Sequence, residues 1–249
     1  MNDEEAREPS DATGAAANRA GWSHRHRDVS GGTLRPTVFG AVDGLVTNAS
    51  LIAGVGGGGA SAHAVVLTGV AALVAGAFSM GTGEYISVTN QNELVYAEVN
   101  LERKMLARFP AAEELELADY FRDYGADADT AARMAAAVMK DPGTALRVHT
   151  REELGIEYTE LPSPILAGLA SLFAFSFGAL VPLLPYLLGF PVLAATLTIT
   201  AVALAAGGMT VGRLTGRSML RSGLRQLVLG GLAVGVTFAI GSLIGHGTS

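Results

Sequence analysis

Residues 38–55 read VFGAVDGLVTNASLIAGV, an apolar run of membrane length with one acid, Asp43, inside it and no Lys or Arg to neutralise that acid. A carboxylate at the centre of a membrane helix costs about 2.5–3.5 kcal/mol on insertion scales, so an acid kept there marks a binding position for a cation or a proton. Gly40 and Gly44 flank Asp43 at GxxxG spacing, as do Gly208/Gly212 and Gly231/Gly235 further on. Glycines four apart share a helix face and let backbones approach closely. Tight helix packing around Asp43 is therefore expected, either within one subunit or across a dimer axis.

Four more segments meet the roughly 20-residue requirement for a span. With the first, at about 37–56, they lie at about 62–83, 164–188, 191–212 and 226–245. The composition agrees. Of 249 residues 49% are hydrophobic, 32 are Gly, and only 16% are charged, against the ~25% of a typical soluble domain. Mean hydropathy is +0.36. The absence of Cys excludes disulfides, thiolate metal sites and cysteine nucleophiles. The net charge of −6 averages unlike regions and names no partner.

Basic residues sort the loops. The connections GGGGASAH and GFP carry no charge, whereas Arg213, Arg217, Arg221 and Arg225 join the fourth and fifth spans. The long insert after the second span carries eight bases. Under the positive-inside rule this places the N terminus and the insert in the cytoplasm and the C terminus outside. The arginine strip at spacing four reads as a topology signal with helix-end snorkelling. Residues 1–35 form a polar stretch without the apolar h-region of a signal peptide, read as a disordered cytoplasmic tail. Its basic cluster, His24 to Arg27 with Arg35, reads as the positive flank of the first helix. The short Ala/Gly-rich chain points to a bacterial cytoplasmic membrane.

The fold class expected is an all-α membrane protein: five transmembrane helices with a cytoplasmic helical domain inserted between helices 2 and 3. The divisions are 1–35 for the tail, 36–85 for helices 1–2, 86–162 for the insert and 163–249 for helices 3–5. Through ISVTNQNELVYAEVNLERKMLARF no residue breaks a helix, so the second span should run on as a stalk to Pro110. Helices over about Ala111–Tyr124, closed by Gly125, and about Asp129–Lys140 should follow. Asp141-Pro142-Gly143 reads as a turn, with a short helix near Thr150–Leu154 after it.

Fifteen acids face eight bases between residues 86 and 162. Glu113 and Glu116 share a helix face at i, i+3, and Glu152 and Glu153 adjoin His149. Carboxylates from several helices suit divalent metals such as Fe²⁺ and Mn²⁺, and imidazole suits iron. Each stretch alone also fits a solvated face, and Thr150-x-x-Glu153 fits a capping box.

Taken in order, DGLVTNASLIAGV, FSMGTGEYISVTNQ with its Glu-bearing stalk, EELELADYFRDYG and REELGI resemble the vacuolar iron transporter family, over nearly everything after about residue 36. The resemblance implies five membrane helices, a cytoplasmic metal-binding domain, a homodimer, and exchange of cytosolic Fe²⁺ or Mn²⁺ for protons. It implies that Asp43 and Met80 line the translocation path, and the Met80 thioether favours a transition metal over Mg²⁺ or Ca²⁺. Without the resemblance Met80 would be read as packing. Glu84, one turn on, either passes metal between domain and path or marks their interface. Glu102, Glu113, Glu116 and Glu153 fall on the family's carboxylate positions, with Glu152 beside them. Met105 stands where the stalk motif usually continues Glu-x-x-Glu, His149 where a methionine is usual, and Val95 where an acid is common. Met105 and His149 remain in the candidate ligand set.

The function expected is transport of Fe²⁺ and/or Mn²⁺ out of the cytoplasm in exchange for protons, with Co²⁺ and Zn²⁺ also compatible and the ions bound as substrate. No prosthetic group and no nucleic-acid partner are expected. The alternative is a membrane-anchored metal buffer or sensor that does not translocate. A di-iron oxidase is disfavoured, because paired Glu-x-x-His motifs are missing. GVGGGGAS lacks the Lys-Ser/Thr ending of a phosphate loop.

Overall fold

In the computed structural model the structure describes residues 33–247. The expected tail up to Gly32, with His24 to Arg27 of its basic cluster, lies outside them, while Arg35 stands in the first turn of the first helix. The described chain is helical throughout, with no strand. Eight α-helices follow in order: α1 (Leu34–Gly57), α2 (Ala62–Arg108), α3 (Pro110–Asp123), α4 (Ala128–Val138), α5 (Pro142–Leu154), α6 (Pro164–Leu187), α7 (Leu193–Leu214) and α8 (Met219–Gly247). A 3₁₀ turn, Tyr158–Glu160, separates α5 from α6. Helices α1, α2, α6, α7 and α8 are long and apolar enough to cross a membrane.

Helix α1 is central and packs against all four other candidate spans, most extensively against α6. Its glycines explain this. A Cβ on Gly44 would sit 2.2 Å from the Phe175 carbonyl oxygen, and one on Gly40 2.8 Å from that of Ser171. Gly178 of α6 returns the approach, 2.0 Å from the Ala41 oxygen. The Gly40/Gly44 face is thus used within the subunit, backbone against backbone. Gly208 and Gly212 bring α7 onto Ser222 of α8 in the same way. Gly231 and Gly235 meet no neighbour within 4 Å.

Helix α2 is 47 residues long. At 1.5 Å per residue it extends about 70 Å, against a hydrocarbon core of about 30 Å. One unbroken helix therefore carries a span at one end and a stalk at the other. Val95 and Val99 on the stalk form a core with Leu146 of α5, capped by Leu106, Ile156, Tyr158 and Leu161. Val95 thus packs where an acid would be unsatisfied. Asn92 donates to the Pro162 carbonyl at 2.9 Å and ties the stalk to the chain entering α6.

Three local expectations fail. Helix does break before Asp141-Pro142-Gly143, since α4 ends at Val138, but the next helix begins at once and not near Thr150: Asp141 is an N-cap whose carboxylate accepts from the Thr144 amide at 2.8 Å, and Pro142 occupies the first turn of α5. Asp-Pro serves a turn and a helix start equally well, and here the helix follows at once. Thr150 then falls inside α5, where its hydroxyl donates to the Leu146 carbonyl at 2.8 Å. It caps nothing, so Glu153 is free for another role. The fifth candidate span also begins earlier than expected, so that Arg221 and Arg225 stand on α8 and not in a loop.

Candidate metal site

Three helices converge on His149. Glu102 comes from the stalk, Glu113 from the first turn of α3, and His149 and Glu153 from successive turns of α5. His149 Nδ1 lies 3.4 Å from Glu102 Oε1, 3.7 Å from Glu113 Oε2 and 3.6 Å from Glu153 Oε1. One ligand atom from each residue falls within 4.8 Å of all the others. Four donors at bonds of about 2.1 Å around one ion stand roughly 3.0–4.2 Å apart, so a small inward movement closes this set on a metal.

The imidazole is 0% exposed and neither ring nitrogen has a hydrogen-bond partner. A buried polar group normally has one, so its absence marks a place for a ligand. Nδ1 offers a lone pair toward the carboxylates when the proton is on Nε2. Glu102 Oε1 is likewise buried and unpartnered. Burial, then the charges of Glu153, Glu113 and Glu116, push the Glu102 carboxyl from 4.5 up to about 7. Burial also raises Glu113, opposed by His149 and reinforced by Glu116 and Glu153. The repulsion arises because several anions are crowded without a counter-ion, and a divalent cation would remove it.

Of the remaining candidates in the insert, Glu116 is exposed on α3 beside the group and acts on it through its charge. Glu152 accepts the Tyr124 hydroxyl, a bond that raises the Tyr124 pKa. Met105 is exposed on α2 and lies outside the four-residue group. Tyr120 was missed by the sequence reading. Burial and the charges of Glu153, Glu116, Glu152 and Glu102 raise its hydroxyl pKa, so it feels the field of the acidic group, though it is not one of the four converging residues. Its spacing seven after Glu113 was the available signal.

Asp43 is half-buried, accepts the Thr47 hydroxyl at 3.3 Å, and has no ion-pair partner among the described residues. It lines a groove of about 260 Å³ between Phe39 and Val46 of α1 and Gln226 and Gly230 of α8. Met80 packs against Ala77, Phe175 and Ala179 with Leu73 and Leu172. Glu84 is half-buried one turn beyond Met80. Asn48, also missed, is buried one turn from Asp43; its amide donates to the Ala179 carbonyl at 2.6 Å and its Oδ1 has no partner.

Residues 34–242 match the family model described as the VIT family. The chain is 29% identical to vacuolar iron transporter 1 of Arabidopsis thaliana over 221 residues, 88% of each protein. It is 34% identical to vacuolar iron transporter homolog 1 of Oryza sativa subsp. japonica, covering 86% of this chain and 75% of that one. A vacuolar iron transporter of Acanthamoeba castellanii is 33% identical, covering 90% and 83%.

Proposed function

The chain belongs to the VIT family, which places it among transporters and not enzymes, and on that premise we propose that it moves Fe²⁺ or Mn²⁺ out of the cytosol in exchange for protons. The observation that carries this reading is the buried, unpartnered His149 facing three carboxylates at the end of a helix that is also a candidate span.

The insert faces the cytosol, where the basic loops are retained, and the protein sits in a bacterial cytoplasmic membrane. Glu102, Glu113, His149 and Glu153 take up the ion, with Glu116 adding negative charge beside them. Three oxygens and one nitrogen suit a borderline divalent ion better than Ca²⁺ or Mg²⁺, which favour oxygen alone. Binding displaces the proton that burial holds on Glu102, so metal capture and proton release are linked at this site.

Asp43 is the acid of the transmembrane step. A metal ion or a proton can each neutralise it, and that competition is the physical basis of exchange. The chain works as a homodimer, in which faces of α1 and α2 left open in one copy, at Phe39 and Phe78, line a shared path that Met80 adjoins.

Uptake of Fe²⁺ and Mn²⁺ into proteoliposomes tests this, with the pH gradient set independently of voltage. A gradient acid on the receiving side should accelerate uptake. Uptake indifferent to the gradient removes proton exchange and leaves metal movement standing.

A further inference from the structure

The turn between α7 and α8 holds a cavity of about 380 Å³ lined by Arg217, Ser218, Arg221, Ser222 and Arg225. Arg221 and Arg225 stand one turn apart on α8, and Arg217 lies in the turn before it. Like charges at this spacing repel unless a counter-charge lies between them. None of the three guanidinium groups has an ion pair or a side-chain hydrogen bond among the described residues.

Ser222 gives an independent indication. It is only 6% exposed, it lines the same cavity, and its hydroxyl makes no hydrogen bond among the described residues. Helical serines commonly bond back to the carbonyl four residues earlier, as Ser176 does to Leu172. Ser222 does not, although its own amide bonds the Ser218 carbonyl. The hydroxyl of a largely buried serine, three guanidinium groups without a partner among the described residues and the first turn of a long helix thus meet in one concavity. Guanidinium forks, a hydroxyl and helix N-terminal amides are the donors that hold phosphate oxygens.

The surroundings are apolar. Leu220 is 77% and Leu224 59% exposed on the same helix, as expected of surface against acyl chains. The short connections of the bundle put this turn at the same end as the metal-binding insert.

We propose that this cavity is a phosphate-binding site, whose natural phosphate is carried on an anionic lipid headgroup at that membrane surface. Gly208 and Gly212 of α7 close directly on Ser222, so the occupant sits at the joint between the last two helices.

The test uses the full-length chain in zwitterionic detergent, with bound lipid counted by native mass spectrometry. Phosphatidic acid and phosphatidylglycerol should be retained several-fold above phosphatidylcholine. Retention should fall roughly fivefold for each of Arg221→Gln and Arg225→Gln, the effect of removing one basic residue near an anionic surface. Ser222→Ala should weaken it without altering the helical circular dichroism. Arg213→Gln removes a nearby charge that does not line the cavity and should leave retention unchanged. Inorganic phosphate separates the sources. Competition by millimolar phosphate shows that the phosphate alone is read; persistent lipid retention without competition shows that the lipid body is read with it. Equal retention of phosphatidylcholine, or a loss in Arg213→Gln as large as in Arg221→Gln, overturns the proposal, because either result reduces the cavity to general charge attraction.

Discussion

Replacing Glu102 by Gln should make the metal-free protein more stable while weakening its hold on metal. The rise of the Glu102 carboxyl from 4.5 to about 7 is equivalent to about 3 kcal/mol of penalty for the ionised form in the folded state. A carboxyl raised on folding contributes most to stability below its unfolded value. It loses that contribution as pH rises through its folded value. Wild-type protein without metal should therefore lose up to about 3 kcal/mol between pH 4.5 and somewhat above 7 through this group. Glu102→Gln should be nearly flat over that window, matching wild type near pH 4.5 and exceeding it at pH 8. Metal reverses the order, because the variant lacks an anionic donor. The assay is thermal unfolding of chelator-treated full-length protein at both pH values, followed by far-ultraviolet circular dichroism. Hydrogen exchange across residues 95–160 localises the change. A variant less stable than wild type at pH 8, or a difference independent of pH, would refute the claim that crowded, uncompensated carboxylates shape this site.

The same proton makes Mn²⁺ affinity fall by up to about tenfold per pH unit below 7, measurable by calorimetry; pH-independent affinity would contradict it. His149→Leu keeps the apolar surroundings and removes the nitrogen, so Co²⁺ and Zn²⁺ should lose more affinity than Mn²⁺; equal losses would argue that His149 is not a ligand. Asp141→Ala should destabilise the insert by about 1 kcal/mol through loss of the α5 N-cap, read by hydrogen exchange over residues 142–154. Gly44→Ala places a Cβ 2.2 Å from the Phe175 oxygen and should separate α1 from α6 at about 1–3 kcal/mol, seen as a lowered melting temperature in detergent.

The long helix α2 was legible because nothing between Ala62 and Arg108 forbids helix, and the first breaker is Pro110. The five candidate spans followed from length and hydropathy, which need no tertiary knowledge. The start of α5 was not legible, because Asp-Pro-Gly satisfies the local chemistry of a turn and of a capped helix start alike. The site was half visible. Glu113 and Glu116 share a face by spacing, but the distance along the chain from Glu102 to His149 hides the fact that the stalk and α5 meet. Nor can spacing report that both nitrogens of His149 are sealed from solvent without a partner. Asn48 and Tyr120 escaped notice because an amide in an apolar helix and an aromatic among acids have ordinary packing roles. The resemblance to a family named Asp43 and Met80 together; in one copy Asp43 lines a groove beside α8 and Met80 packs on Phe175 of α6.

The central claim is metal movement through a path that needs Asp43, supplied by the Glu102–His149 group. The most direct measurement is Fe²⁺ flux into liposomes holding either the wild-type chain or Asp43→Ala, with metal binding by the insert recorded on the same preparations. The account predicts that Asp43→Ala lowers flux to the level of protein-free vesicles while binding at the insert is unchanged. Flux that survives Asp43→Ala at the wild-type rate would contradict it.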